Sequence, residues 1–321
     1  MSRLEKLRKM LIYVRNDQQW WLAAKPVEEL TERIGPVGPY WIDLTPRLDD
    51  GHFAVQDAEG IPHKDFGGTL GCVYNITRVC GYALANCDRY MHTGREENAE
   101  IFLHCARWLK TNAEVSDAHG LVVRYQYPHK GMNAGWISGM SQGQILSVFT
   151  RAYFLTGDKE WKSLAAQAGR VFSIPVDDGG VRAAFAAIGR DWYEEVPSEK
   201  SHILNGHIYA LTGLQEAGEY LELPVFSKLY IYGLDALLES LSVFDCGYWS
   251  YYDYPPNRPL YVASYSYHLM HCILLDYLAK VHPDRKELLR VARRWYGYCN
   301  RWPCRFRAGL QMCWQKICHY R

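Results

Sequence analysis

No apolar run in this 321-residue chain approaches the roughly 18 residues that a membrane-crossing helix needs. The opening stretch, MSRLEKLRKMLIYVRNDQQWW, is charged throughout and lacks both an apolar signal core and a small-residue cleavage site, so a cytoplasmic setting is expected. The ten cysteines lack the short C-x-x-C step of zinc sites and the density of a disulfide framework. Reduced, buried thiols are expected, with no metal and no cofactor. Also missing is a basic stripe interleaved with aromatic residues over a sheet-like pattern, which argues against nucleic acid as a partner. Neither sign of charge dominates, since the net charge is +1.

What is present is unevenly spread. From Arg285 to Arg321 there are ten basic residues and one acid, Glu287, leaving 26 basic and 34 acidic residues for the rest. A basic C-terminus of this kind suggests an anionic partner, either membrane headgroups in peripheral contact or an acidic polymer. Apolar residues make up 48 % of the chain, enough for a sizeable core. Cys80, Cys87, Cys105 and Cys272 fall inside apolar helical patterns, where a thiol behaves as a small hydrophobe. Cys299, Cys304, Cys313 and Cys318 form the one sequence cluster.

A repeat runs through the chain. YMHTGREENAEIFLHCARWL from Tyr90 and YFLTGDKEWKSLAAQAGRVF from Tyr153 each read as a helix end, a Thr-Gly stop and a capped restart. The sense recurs near Gly218 and again near His282, giving a period close to 62 residues. Helical hairpins of that length must stack to bury their faces. Between them lie Gly-bounded, strand-like pieces at 120–128, 179–187 and 247–254. The expected fold is mainly α: an α/α toroid with short β-hairpins at one rim, spanning 40–321 after a helical extension over 1–39.

Five stretches carry more polar chemistry than packing requires. DFGGTLGCVYNITRVCGYAL sets Tyr74 and Asn75 at a helix entry. GWISGMSQGQ places Ser138, Ser141, Gln142 and Gln144 in the first turns of an apolar helix, behind Trp136. DWYEEVPSEKSHILNGHIYALTGL holds Tyr193, Glu194, Glu195, Asn205 and His207. SYYDYPPNRPLYV holds Tyr252, Asp253, Tyr254 and Arg258, and ASYSYHLMH holds Tyr265, Tyr267, His268 and His271. Amides and hydroxyls at the mouth of a buried helix suit sugar hydroxyls, although capping explains one such residue. His268 and His271 have metal-pair spacing without an evident third ligand.

These stretches resemble the C-terminal catalytic domain of the D-glucuronyl C5-epimerases, in collinear order from about Tyr40 to Arg294. The resemblance implies an α/α toroid and an enzyme that inverts C5 of uronic acid residues, glucuronate to iduronate, within an anionic polysaccharide such as heparosan. It implies proton transfer by Glu195, Tyr252 and Tyr267. Tyr74, Asn75, Trp136, Ser141, Gln142, Gln144, Tyr193, Glu194, Asn205, His207, Arg258 and His268 are the expected substrate-binding residues. A further family tyrosine, directly after the paired glutamates, is Val196 here, and the family arginine is displaced, leaving Arg258 as the nearest cation. A lyase shares the C5 deprotonation. A glycoside hydrolase would need Asp191, Asp245 or Asp253 as partner to Glu195. A non-catalytic glycan binder is the third rival, and a homodimer stays open.

Overall fold

A computed structural model describes residues 33–319, with side chains through Gln315. The extension expected over 1–39 therefore lies largely outside the described residues. Of that range, Ile34 and Val37 are buried, and Ile34 joins the main core, which Tyr40 and Trp41 enter just after it.

The described chain is mainly helical. Eight helices form four consecutive hairpins: α1 (Ile76–Thr93) with α2 (Glu96–Thr111), α3 (Gly139–Thr156) with α4 (Lys159–Ala168), α5 (Leu204–Tyr220) with α6 (Pro224–Ser240), and α7 (Tyr265–Val281) with α8 (Lys286–Asn300). A ninth, α9 (Trp302–His319), packs on α8. Local chemistry sets the ends. Asn75 Oδ1 accepts from the Arg78 amide at 3.1 Å to open α1, and Asp158 Oδ1 accepts from the Glu160 amide at 2.9 Å to open α4. Gly94 and Gly157 close α1 and α3 in the left-handed region, as the repeat predicts. Gly218 departs from that register. It lies inside the last turn of α5, where a Cβ would meet the Ser227 amide at 2.7 Å, so its role is close packing of α6 rather than a helix stop.

Helices α1, α3, α5 and α7 pack on one another in chain order. Helices α3 and α5 are buried on nearly every face, as central elements must be. Their crossing is closest at Gly143 and Gly213, where a Cβ on Gly213 would come within 1.9 Å of the Gly143 carbonyl oxygen. Gly213→Ala should therefore destabilise the fold by about 3 kcal/mol, an overpacking cost against backbone that cannot yield. A melting temperature unchanged from the parent would contradict this geometry. Beside the crossing, Arg151 on α3 makes a bidentate ion pair with Glu216 on α5 at 2.7 and 2.9 Å and also reaches the Gly38 carbonyl.

The described residues also form three two-stranded antiparallel hairpins: β1 (His63–Asp65) with β2 (Cys72–Tyr74), β3 (Ala113–Ser116) with β4 (Gly120–Val123), and β5 (Arg182–Phe185) with β6 (Arg190–Tyr193). The second pairs Ala113 with Val123, and the third pairs Arg182 with Tyr193. The stretch 247–254, expected as a strand, makes only the isolated bridges Asp245–Ser250 and Tyr251–Val262. Pro255, Pro256 and Pro259 deny it a ladder. Cys80, Cys87, Cys105 and Cys272 are buried free thiols, as their helical setting predicts.

Candidate active site

One brace recurs in three hairpins. Gln142, His207 and His268 are each the fourth residue of their helix, α3, α5 and α7. Each accepts a hydrogen bond from the backbone of the preceding extended segment: the Val123 amide at 3.2 Å, the Tyr193 amide at 3.0 Å and the Ser250 amide at 3.1 Å. Each donates to a carbonyl of the paired helix: Ala168 on α4, Gly233 on α6 and Trp295 on α8. Trp192 stacks on His207 at 3.7 Å, and Trp249 stacks on His268 at 3.8 Å. These three residues were expected to bind substrate. In the structure every polar atom of each is engaged in holding its repeat together.

Other expected contacts are also occupied by the fold. The Tyr193 hydroxyl donates to the Leu229 carbonyl, and the Ser141 hydroxyl donates to the Ser138 carbonyl. The Tyr74 hydroxyl donates to Asp57 at 2.6 Å, which together with burial pushes it up to about 12. Asn75 caps α1 and donates to the Tyr127 hydroxyl at 2.9 Å. Arg258, an expected substrate-binding residue, pairs with the buried Asp253 and lies over the Tyr261 ring. His268 sits with Trp249 and Trp295. Although His268, Cys272 and Cys299 come within 4.8 Å of one another, both His268 nitrogens are committed, which leaves it no lone pair for a metal.

Glu195, Tyr252 and Tyr267 do converge. Glu195 follows β6, and its side chain lies against the first turn of α5. A Cβ on Gly206 would meet Glu195 Oε2 at 2.5 Å, so the glycine of the LNG motif makes room for the carboxylate. Tyr267 is in the first turn of α7, which Ser264 caps. Its ring meets Tyr252 edge-on at 4.8 Å, and each phenol acts on the acidity of the other. Tyr209, one turn beyond Asn205 on α5, faces the same group. Among the described residues, Glu195 Oε2, Asn205 Oδ1 and Asp253 Oδ1 are buried without a hydrogen-bond partner in the protein.

The electrostatics separate the roles of these groups. Burial raises Glu195 to about 7; Lys130 opposes the shift, and Glu194 and Asp253 add to it. Its two acidic neighbours have partners of their own. Glu194 is wholly buried and accepts from the ring and amide of His202 at 2.5 and 3.1 Å, while Asp253 holds Arg258. Tyr267 is 37 % exposed overall, but the enclosed surroundings of its hydroxyl, and then the Glu195 carboxyl, push it up to about 12, and the same causes carry Tyr252 well above its ordinary value. Both tyrosines therefore stay protonated at neutral pH.

Sequence reasoning missed Lys130 and Tyr209. Lys130 sits in a left-handed turn at φ 45°, paired with Glu199 at 3.4 Å, and is the cation that acts on Glu195. Trp136 stacks on Tyr125 at 3.9 Å and lines a recess of about 320 Å³ with Arg124, Lys200 and Pro197, the last of which is two positions after Glu195. A larger recess of about 690 Å³ lies at the other ends of α5 and α7, lined by Trp41, Glu219, Tyr230 and His282, and shares none of these groups. Gln144 is buried with Oε1 unpartnered. The other carboxylates a hydrolase would use are spent elsewhere: Asp191 on Arg182 at 3.6 Å, and Asp245 on Trp295 at 2.9 Å and on Arg294.

A carboxyl poised near neutrality beside two protonated phenols is acid–base equipment. The family model described as D-glucuronyl C5-epimerase C-terminus matches residues 88–297, and the chain belongs to that family. Among curated proteins, the D-glucuronyl C5-epimerase of Caenorhabditis elegans is 32 % identical over 227 residues, covering 64 % of this chain and 36 % of that protein. An uncharacterized protein of Methanocaldococcus jannaschii is 30 % identical over 199 residues, covering 60 % of this chain and 64 % of that protein. The chain thus spans about a third of the first relative and just under two thirds of the second.

Proposed function

We propose that this protein inverts C5 of uronic acid residues in an anionic polysaccharide, glucuronate to iduronate in a heparosan-like chain, from the cytoplasm. We further propose that its four hairpins form an α/α toroid with the Glu195 cluster at the rim carrying the hairpin turns. The observation that carries the reading is the convergence of Glu195 with the edge-on Tyr252–Tyr267 pair. Family membership supports it.

The C5 hydrogen of a uronate is weakly acidic, because the adjacent carboxylate is already negative. In the proposed step the ionised Glu195 takes the C5 proton, and the electron pair is delocalised into the substrate carboxylate. Lys130 offsets the charge that accumulates there. Tyr267 then gives its proton to C5 from the opposite face, with the Tyr252 ring edge-on against it. One C–H bond breaks and one forms, and proton exchange with water resets Glu195 and Tyr267. Trp136, Arg124 and Lys200 line the adjoining recess, where an aromatic face and cations suit an anionic sugar. Incubating uronate polymers with the protein in D₂O and reading C5 deuteration by NMR tests the reading. Exchange without cleavage supports it, whereas unsaturated products or shortened chains assign a lyase or a hydrolase.

A further inference from the structure

Helix α9 carries a feature that the Glu195 site does not use. Trp302, Phe306, Leu310 and Trp314 recur every fourth residue and are 55, 40, 47 and 67 % exposed. At 3.6 residues per turn they form one continuous stripe along the helix. The Trp302 and Phe306 rings stack at 5.2 Å, which keeps that end of the stripe flat. The opposite face is the packed one. Ala308 is fully buried, and Gln311 accepts from the Tyr248 hydroxyl at 2.5 Å. By helical phase Arg305 borders one edge of the stripe and Arg307 the other, with Arg301 just before the helix. Arg305 donates to the Cys299 carbonyl at 2.7 Å and Arg307 lies over the Tyr248 ring at 4.0 Å, so either must swing outward to meet a headgroup, whereas Arg301 is already exposed. From Arg301 to Arg321 there are five Lys/Arg residues and no Asp or Glu.

We propose that α9 is an interfacial helix that docks the protein on an anionic lipid surface, with the Trp302–Trp314 stripe inserted among the acyl chains near the headgroups and the flanking arginines on anionic headgroups. An apolar stripe ending in tryptophans and edged by cations matches that boundary, which offers apolar depth and negative charge together. A second copy of the chain fits less well, because apposing two such helices sets arginines against arginines with no acid between them. A soluble anionic polysaccharide offers the charge but little apolar surface to cover four large side chains. The inference does not depend on the proposed reaction, and its test involves no turnover.

Flotation with phosphatidylcholine vesicles, with and without about 30 % phosphatidylglycerol, provides the test. The full chain should bind the anionic vesicles at least about tenfold better than the neutral ones, and the difference should shrink as salt rises. Replacing Trp302, Phe306, Leu310 and Trp314 together by Ala should cut anionic-vesicle binding at least about tenfold with little change in melting temperature, since alanine favours helix and the four side chains are exposed. The milder pair Trp302→Ala and Trp314→Ala should give an intermediate loss. Equal binding by parent and variants would overturn the proposal, as would equal binding to both vesicle types. A concentration-dependent dimer in sedimentation that the fourfold variant abolishes would assign the stripe to a second copy. Loss of binding to soluble polymer, with vesicle binding unchanged, would assign it to glycan.

Discussion

Tyr267→Phe should lower turnover on a uronate polymer by about 10²–10⁴-fold while leaving the melting temperature close to that of the parent. The ring stays against Tyr252, so packing is conserved and only the hydroxyl is lost. Because the hydroxyl is pushed up to about 12, the role proposed for it is that of a proton donor. Its loss should separate two observables that a packing defect would lower together. Glu195 can still take the C5 proton and return a deuteron to the same face, so exchange into the starting uronate should persist while inversion stops. Both observables can be read from one NMR sample in D₂O. Inversion at the parent rate would remove Tyr267 from the chemistry.

Glu195→Gln should abolish exchange and inversion together, by a similar factor, because the group that starts the reaction is gone. It also has a stability signature of opposite sign. The Glu195 carboxyl is raised to about 7 in the folded protein, against about 4.3 unfolded. The folded state therefore holds the proton more tightly, and stability falls as pH rises from the unfolded value to the folded one. The accumulated cost above neutrality is on the order of 3 kcal/mol. Glutamine carries no such penalty, so Glu195→Gln should melt higher than the parent at about pH 8 and nearly level with it at about pH 4. In the parent, kcat/KM should rise with pH through about 7 as the base ionises. A variant that melts lower at pH 8 would mean that the carboxylate is structurally required, and a parent profile flat through 7 would remove it as the base.

The helical repeat was legible because its punctuation is local. Gly94 and Gly157 stop helices by a backbone conformation that the residue type announces. Gly218 looked the same in sequence, but its job is set by Ser227 on another helix, which no local pattern reveals. Glu195, Tyr252 and Tyr267 came from motif resemblance, and the structure brings them together. The bracing by Gln142, His207 and His268 was not legible, because a polar group at a helix mouth looks alike in sequence whether it faces ligand or brace. All three fall on one phase of the repeat, which is the one trace the brace leaves in the sequence. Lys130 left no such trace, since a lysine in a loop is ordinary until the fold lays it near a carboxylate 65 positions away. The Trp302–Trp314 stripe was present as spacing inside the basic C-terminus, where charge drew attention first.

The central claim is that this protein moves the C5 proton of a uronate without breaking the chain. The most direct measurement incubates heparosan with the parent protein in D₂O, then reads C5 deuteration by NMR and chain length by gel filtration on the same sample. The account predicts deuterium at C5, appearance of iduronate signals, unchanged chain length and no ultraviolet absorbance from an unsaturated product. Shortened chains, unsaturated ends, or full retention of C5 protium across heparosan and other uronate polymers would contradict it.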